Sequence, residues 1–226
     1  MIMSERVLGI MADSFTTILF PGLTATIPLA AISFAIALVI ATVTALVQYS
    51  RVPVLSQLAR FYIWIVRGTP LLVQLYVVFY GLPDLGIMLD PFPAAIIVFS
   101  LNTGAYSAET IRGAIESVPV GQLEAGYCVG LTYGQVMRRI VLPQALRMAF
   151  PPLTNELITL VKDTSLAANI TVLEMFMATQ RVVSRTWESM PLYLEVAAIY
   201  LLFSTVLTWL QHAGERYLAS RGMERG

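Results

Sequence analysis

Long apolar runs separated by short polar links set the pattern of this chain, and its largest polar interruption lies near the middle. From Gly22 to Val47 there is no charged residue, enough length to cross a hydrocarbon layer about 30 Å thick even with tilt. This predicts a first membrane span over residues 22–47. After a polar link from Gln48 to Gln57, a second apolar segment runs over 58–82. A third, over 94–115, follows a turn-rich stretch from Gly81 to Pro93 that holds Asp84 and Asp90 and no basic residue. A fourth is predicted over 150–170 and a fifth over 192–209, with a charged tail beyond. Ahead of them all, Val7, Leu8, Met11, Phe15, Ile18 and Leu19 recur near helical period, which predicts an amphipathic helix over residues 5–20 lying at the membrane surface. Glu5 and Asp13 interrupt it and no small-residue cleavage site follows, so it makes a poor signal peptide. The expectation is one all-α domain over residues 1–226, a polytopic membrane protein with about five transmembrane helices.

Polar positions inside the apolar segments are the informative exceptions. In the second segment, Arg67-Gly68-Thr69-Pro70 interrupts the run. Proline disfavours helix at the residue before it and glycine is flexible, so the backbone can open there; open backbone at membrane depth is tolerated only against protein or a water-filled cavity. The alternative is a plain helix start at Pro70, with Arg67 reaching to the surface. In the third segment, Gly104, Ala105, Ser107 and Ala108 form a small-residue face suited to close packing. Asn102 and Thr103 sit near mid-membrane, either as inter-helix hydrogen bonders or as contacts to a solute path. Glu109 and Arg112 can pair where this helix leaves the bilayer.

The fourth segment holds Asn155, Glu156, Thr159, Lys162, Asp163, Ser165 and Asn169. At about 100° per residue these fall on roughly one half of a helix, with Leu153, Leu157, Leu160, Val161 and Ala167 on the other. A charge near the bilayer centre costs at least about 2.5 to 3.5 kcal/mol, so such residues should face a cavity or a partner. The competing reading puts Lys162 and Asp163 at a helix end on the outer interface; as sequence neighbours they do not face each other as an ion pair. Residues 171–191 carry Val172, Met175, Phe176 and Thr179 at helical spacing, then Arg181, Arg185, Trp187 and Glu188. They read as an external helix and loop, either a solvated cap or a docking surface.

The central interruption, residues 117–147, reads as two short helices around a bend. Ser117 can cap the first, with Pro119 tolerated in its opening turn because the amide it lacks would have no helical partner. Gly130 can end it. Thr132 with Gln135 forms a capping box for the second helix, whose Val136 and Ile140 share a face while Arg138 and Arg139 lie off it, and Leu142-Pro143 closes that helix. On periodicity alone this is an interfacial linker.

Composition narrows function more than fold. With 57% apolar and 12% charged residues and a mean hydropathy of +0.74, the chain has more apolar surface than a soluble core needs. Formal net charge is zero, so no basic field argues for nucleic acid. The one cysteine, Cys128, and the one histidine, His212, are far apart and offer no metal-ligand spacing. There is no G-x-x-x-x-G-K-[ST] phosphate loop and no Ser/His/Asp or zinc signature, so transport along a polar path is the function that remains. Charge placement sets orientation. With the central loop in the cytoplasm, Arg51, Arg60, Arg67, Arg112, Arg138, Arg139, Arg147, Arg216, Arg221 and Arg225 fall inside, and only Arg6, Lys162, Arg181 and Arg185 lie at or towards the outside. That is the positive-inside pattern, with the N-terminus outside and the C-terminus inside.

Glu124-Ala125-Gly126, then Gly130, then Ile140 and Leu142-Pro143 resemble the EAA loop of ATP-binding-cassette (ABC) importer permeases, where Glu-Ala-Ala, Gly and Ile-x-Leu-Pro stand at this spacing. Gly126 departs from the second Ala, which should loosen the first helix by about 1 kcal/mol and leaves the tightness of the loop's contact open. R-G-T-P-L-L-V-Q-L from Arg67 and L-V-K-D-T-S-L-A from Leu160 are similar to the polar amino-acid permeases of that family, and the likeness covers most of the chain. The resemblance implies a multi-pass permease of a bacterial cytoplasmic membrane, surrounded by lipid, with no cofactor or ATPase site of its own and no nucleic-acid partner. An identical or related second permease would pair with it, two copies of an ATPase would bind ATP and Mg, and a solute-binding protein would deliver a polar amino acid outside.

In that setting the loop 117–147 would be the coupling element. Glu124, Ala125, Gly126 and Gly130 would shape the contact, Arg138 or Arg139 would meet acidic groups of the ATPase, and Ile140, Leu142 and Pro143 would fix the second helix. Arg67, Thr69, Asn102, Thr103, Asn155, Glu156, Thr159, Lys162, Asp163 and Ser165 are the candidate solute-path residues. A zwitterion needs a cation or helix N-terminus for its carboxylate and an acceptor for its ammonium, and Lys162, Asp163, Glu156 and Asn155 offer both. Two other classes remain. An ion-driven secondary transporter titrating Glu156 and Asp163 leaves the loop's spacing unexplained, and a non-transporting scaffold or receptor leaves the polar face of the fourth segment unexplained.

Overall fold

The structure, a computed structural model, describes residues 5–50 and 52–223; Arg51 and Arg225 lie outside them, and of Arg221 only the backbone is described. Among the described residues all regular structure is helical, as a chain that must satisfy its own backbone in lipid requires. Helix α1 (Glu5–Pro21) passes through a π turn at Gly22–Thr26 into α2 (Ile27–Ser50). The segment expected to lie separately on the membrane surface is therefore the first part of a continuous 45-residue helix, Glu5–Tyr49. Its buried stripe of Val7, Ser14 and Ile18 explains why. This face packs on α9 (Met175–Thr186) and α10 (Ser189–Met223), where Ser14 Oγ donates to Glu195 Oε2 at 2.8 Å.

Two short helices, α3 (Pro53–Gly68) and α4 (Leu71–Tyr76), stand in place of a straight second span. Thr69 and Pro70 are extended between them, and the chain bends by 106° at this break. A π turn, Val77–Gly81, and a 3-10 turn, Leu82–Leu85, then lead out of α4. The third and fourth apolar segments fall in α5 (Pro91–Glu116) and α8 (Leu142–Asp163), the latter extended by a 3-10 turn at Thr164–Ile170. By length and apolar character, Glu5–Tyr49 and Ser189–Leu218 can each cross a membrane, and the bent pair qualifies as a broken span.

The core lies where α2, α4, α5 and α8 meet, around the buried side chains of Leu29, Leu75, Phe99 and Leu160. The small face of α5 does what its residues suggest. Gly104 admits Ile40, whose Cγ2 would stand 3.0 Å from a Cβ at that position, and Ala105 and Ala108 are fully buried beside it. On the outside, Val39, Phe61, Trp64, Leu201 and Trp209 are exposed, an apolar exterior suited to lipid.

Between α5 and α8 stand two further helices. α6 (Val120–Cys128) ends in a Schellman turn, with Gly130 at φ +80°, its N–H bonded to Tyr127 O at 2.9 Å and the Leu131 N–H to Gly126 O at 3.1 Å. α7 (Tyr133–Val136) opens with the Thr132/Gln135 capping box, in which the Thr132 N–H donates to Gln135 Oε1 at 2.9 Å. Two expectations are corrected here. Ser117 does not cap α6: α5 runs on to Glu116, so Ser117 is its C-cap and donates back to Ala114 O at 2.7 Å, while Pro119 takes the N-cap of α6. Nor does Leu142-Pro143 close the second helix, which continues through a π turn, Met137–Val141, into α8. The Leu142 N–H reaches back to Met137 O, and this wide turn carries the carbonyls clear of the proline ring.

Candidate functional site

The broken helix places the site. Where α3 stops, the carbonyls of its last turn lose their helical partners. Thr69 Oγ1 donates to Ile65 O at 2.9 Å, and Gln74 Nε2 donates to Val66 O at 2.7 Å, to Thr69 O at 3.1 Å and to Thr69 Oγ1 at 2.9 Å. Gln74 Oε1 accepts from Asn102 Nδ2 at 3.1 Å, so α5 grips the break. Thr69 and Pro70 are thereby held open against a cavity of about 400 Å³ between α4, α5 and α8. Asn102, Thr103 and Tyr106 from α5, with Glu156, Thr159 and Asp163 from α8, form the rest of its polar wall. The three α8 residues stand at i, i+3 and i+7 and share one face over about 10 Å. Asn102 both braces Gln74 and lines the cavity.

The other candidates go elsewhere. Lys162 and Ser165 line a separate cavity of about 730 Å³ together with Phe176, Tyr193 and Tyr200. Asn155 is exposed and belongs to neither wall. Lys162 lies about 120° round the helix from Glu156, which is enough to send it to another neighbour. The cavity at the break therefore carries two carboxylates and no cation in its wall. Arg67 stands beside it, with its guanidinium 5.1 Å from the centre of the Tyr106 ring and Nη1 3.9 Å from Glu109 Oε2.

Two residues of this site, Gln74 and Tyr106, are not singled out by the sequence pattern. The signal for Gln74 is a lone amide one turn past a proline break in an apolar helix; for Tyr106 it is the shared face with Asn102 and Glu109. A third, Glu174, is a fully buried carboxylate that caps α9, accepting from the Phe176 and Met177 N–H groups at 2.8 and 2.6 Å and from the Tyr200 hydroxyl at 2.9 Å. Its work is structural, fixing α9 against α10.

The 117–147 loop has a core of its own. Val118, Val136, Met137 and Val141 are buried with Ala114 and Ile115 of α5, and Ile140 and Leu142 pack against them. Gly126 lets α6 sit this close: a Cβ there would stand 2.9 Å from both Val136 Cγ2 and Ile140 Cδ1. Glycine at this position therefore tightens the packing of the two helices, the reverse of the loosening that propensity alone suggests. Glu124, Ala125, Arg138, Arg139 and Pro143 are exposed, as are the apolar side chains of Val120, Tyr127 and Val129.

Similarity to other proteins agrees with this arrangement. A family described as "Binding-protein-dependent transport system inner membrane component" matches residues 37–219. The L-cystine transport system permease protein TcyB of Bacillus subtilis is 46% identical over 207 residues, covering 91% of this chain and 88% of its own. The nopaline transport system permease protein NocM of Agrobacterium fabrum is 38% identical over 213 residues, 88% of each chain. Among solved structures, an amino acid ABC transporter crystallised with histidines aligns with a TM-score of 0.86 at 30% identity, over 91% of this chain and 96% of that one. An inward-facing form of the MetNI methionine ABC transporter shares the fold, with a TM-score of 0.70 at 18% identity over 96% and 99% of the two chains.

Proposed function

This chain belongs to the family of binding-protein-dependent transport system inner membrane components, and from that premise we propose that it is the permease subunit of an ATP-driven importer that moves a polar amino acid inward by alternating access. It pairs with an identical or related permease. Two copies of an ATPase bind ATP and Mg and supply the energy, and a solute-binding protein delivers the amino acid outside. The N-terminus faces outward and the C-terminus the cytoplasm. The observation that carries the coupling is the loop 117–147, whose buried cluster ties it to α5 and α8 while Glu124, Ala125, Val129, Arg138 and Arg139 stay uncovered. A push on α6 then moves the helices that wall the cavity, and the two arginines suit acidic groups on the ATPase.

The cavity supports the solute class. Glu156 and Asp163, about two turns apart on one face of α8, suit ammonium groups, while Asn102 and Tyr106 can donate to a carboxylate. A solute with two ammonium groups engages both acids, so L-cystine, named for one relative, is the first to test and nopaline, named for another, the second. Proteoliposomes holding this chain, its ATPase and its binding protein should take up radiolabelled L-cystine only with ATP inside and the binding protein outside. Uptake driven by an ion gradient without ATP would overturn the proposal and turn Glu156 and Asp163 into coupling-ion ligands.

A further inference from the structure

A second polar cavity, of about 710 Å³, opens at the end of the fold that carries the 117–147 loop, between the last turn of α2, α3 and α5. Its wall holds charge of both signs. Arg112 is engaged, with Nη2 2.9 Å from Glu109 Oε2 and Nη1 2.7 Å from Glu116 Oε2. Arg60, on α3, has no ion pair among the described residues. One turn before it, Ser56 belongs to the same wall and is only 4% exposed. An exposed guanidinium without an ion pair, in a wall that also holds carboxylates, suits a ligand that carries both charges.

The second cavity continues the line of the first. At about 100° per residue, Asn102, Tyr106, Glu109 and Glu116 fall within about 80° of one another on α5. The first two wall the cavity at the broken helix and the last two wall this one. Arg67 stands between them, against the Tyr106 ring on one side and Glu109 on the other. Its contact with Glu109 is long, 3.9 Å, and its side chain is 43% exposed, so the pair is weak and can exchange partners. Glu109 would not be left bare by the exchange, because Arg112 and Gln48 Nε2 also bond it.

We infer that this second cavity is a further amino-acid station on the same path, on the coupling-loop side of Arg67, and that it takes the zwitterionic α-amino-acid group. The inference rests on the importer reading above. Arg60 receives the carboxylate, and Glu116 receives the ammonium. Arg67 releases Glu109 to accompany the solute carboxylate from the first cavity to the second. An anion without an ammonium group would meet Glu109 and Glu116 in the same wall, which disfavours phosphate.

The test is ligand protection of an introduced thiol in the permease–ATPase complex. Gln57→Cys places a thiol at an exposed position in the wall of the second cavity, and Thr159→Cys places one in the first. The native Cys128, exposed on α6, reports non-specific effects in the same peptide-resolved alkylation. L-Glutamine, L-arginine and L-cystathionine serve as probes, the last because cystine itself would exchange with the thiols. At about 10 mM, at least one should slow alkylation of Q57C roughly threefold, as a dissociation constant of about 5 mM requires, and leave Cys128 unchanged. Adding Arg60→Gln should abolish that protection while T159C stays protected. Protection of T159C without protection of Q57C would overturn the second station and leave the importer reading standing; protection of neither would overturn both. Equal protection of Q57C by inorganic phosphate would overturn the amino-acid assignment.

Discussion

At Gly126 a single absent methyl group decides how the coupling loop is built. In an isolated helix, alanine would be favoured over glycine by about 1 kcal/mol. Here the added Cβ would stand 2.9 Å from Val136 Cγ2 and Ile140 Cδ1. Ile140 is partly exposed and can swing its end away, but Val136 is fully buried and branched at Cβ, so it has little rotamer freedom. Overpacking of this kind typically costs about 1–3 kcal/mol, which outweighs the gain in propensity. Gly126→Ala should therefore speed hydrogen exchange of the amides between Val120 and Val141, and adding Val136→Ala should restore protection. Slower exchange in the single variant would mean that propensity wins. The identity of residue 126 is visible in the sequence; the sign of its effect is not, because it depends on a side chain ten positions away that only the Schellman turn at Gly130 brings round.

Prolines show the same gap between pattern and outcome for whole elements. Among the described residues the π turns end at Thr26, Gly81 and Val141, two positions before Pro28, Pro83 and Pro143. A proline reads as a stop because its ring meets the carbonyl four residues back, and a widened turn removes that clash while keeping the chain helical or nearly so. At Thr69-Pro70 the backbone opens within an apolar segment, and there Gln74 and Asn102 supply what the lost helical bonds no longer do. Gln74→Leu leaves the carbonyls of Val66 and Thr69 and the Asn102 amide without this partner, at about 1–3 kcal/mol for each group that stays buried. Asn102→Leu leaves the Gln74 bonds to the break intact. Thermal unfolding of the purified complex should thus fall further with Gln74→Leu than with Asn102→Leu, and the opposite order would show that the break is held by something else. The break itself was legible as Gly-Thr-Pro; its brace was not, since one glutamine in an apolar helix has many uses.

For the molecule as a whole, the polar half of the fourth segment was readable from its 100° periodicity, and the partition of that half was not. Asn155, Lys162 and Ser165 sit close enough in angle to Glu156, Thr159 and Asp163 to look like one surface. Packing divides them, because α5 packs on one side of α8 and α10 on the other, while α4 and α9 meet the 3-10 turn that follows it. The solute path proposed above follows the first side, where two carboxylates and the opened backbone of Thr69 and Pro70 meet. Asp163→Asn should accordingly lower ATP-driven uptake by at least about tenfold, the effect of losing one hydrogen bond to a charged group. Lys162→Gln, on the far side, should change it by less than about twofold, an effect within the range of ordinary surface substitutions. Uptake rates of the two variants in the same proteoliposome system, normalised to inserted protein, decide the matter. Equal losses would mean that the two cavities act as one, and a loss confined to Lys162→Gln would move the path to the side of α8 that faces α10.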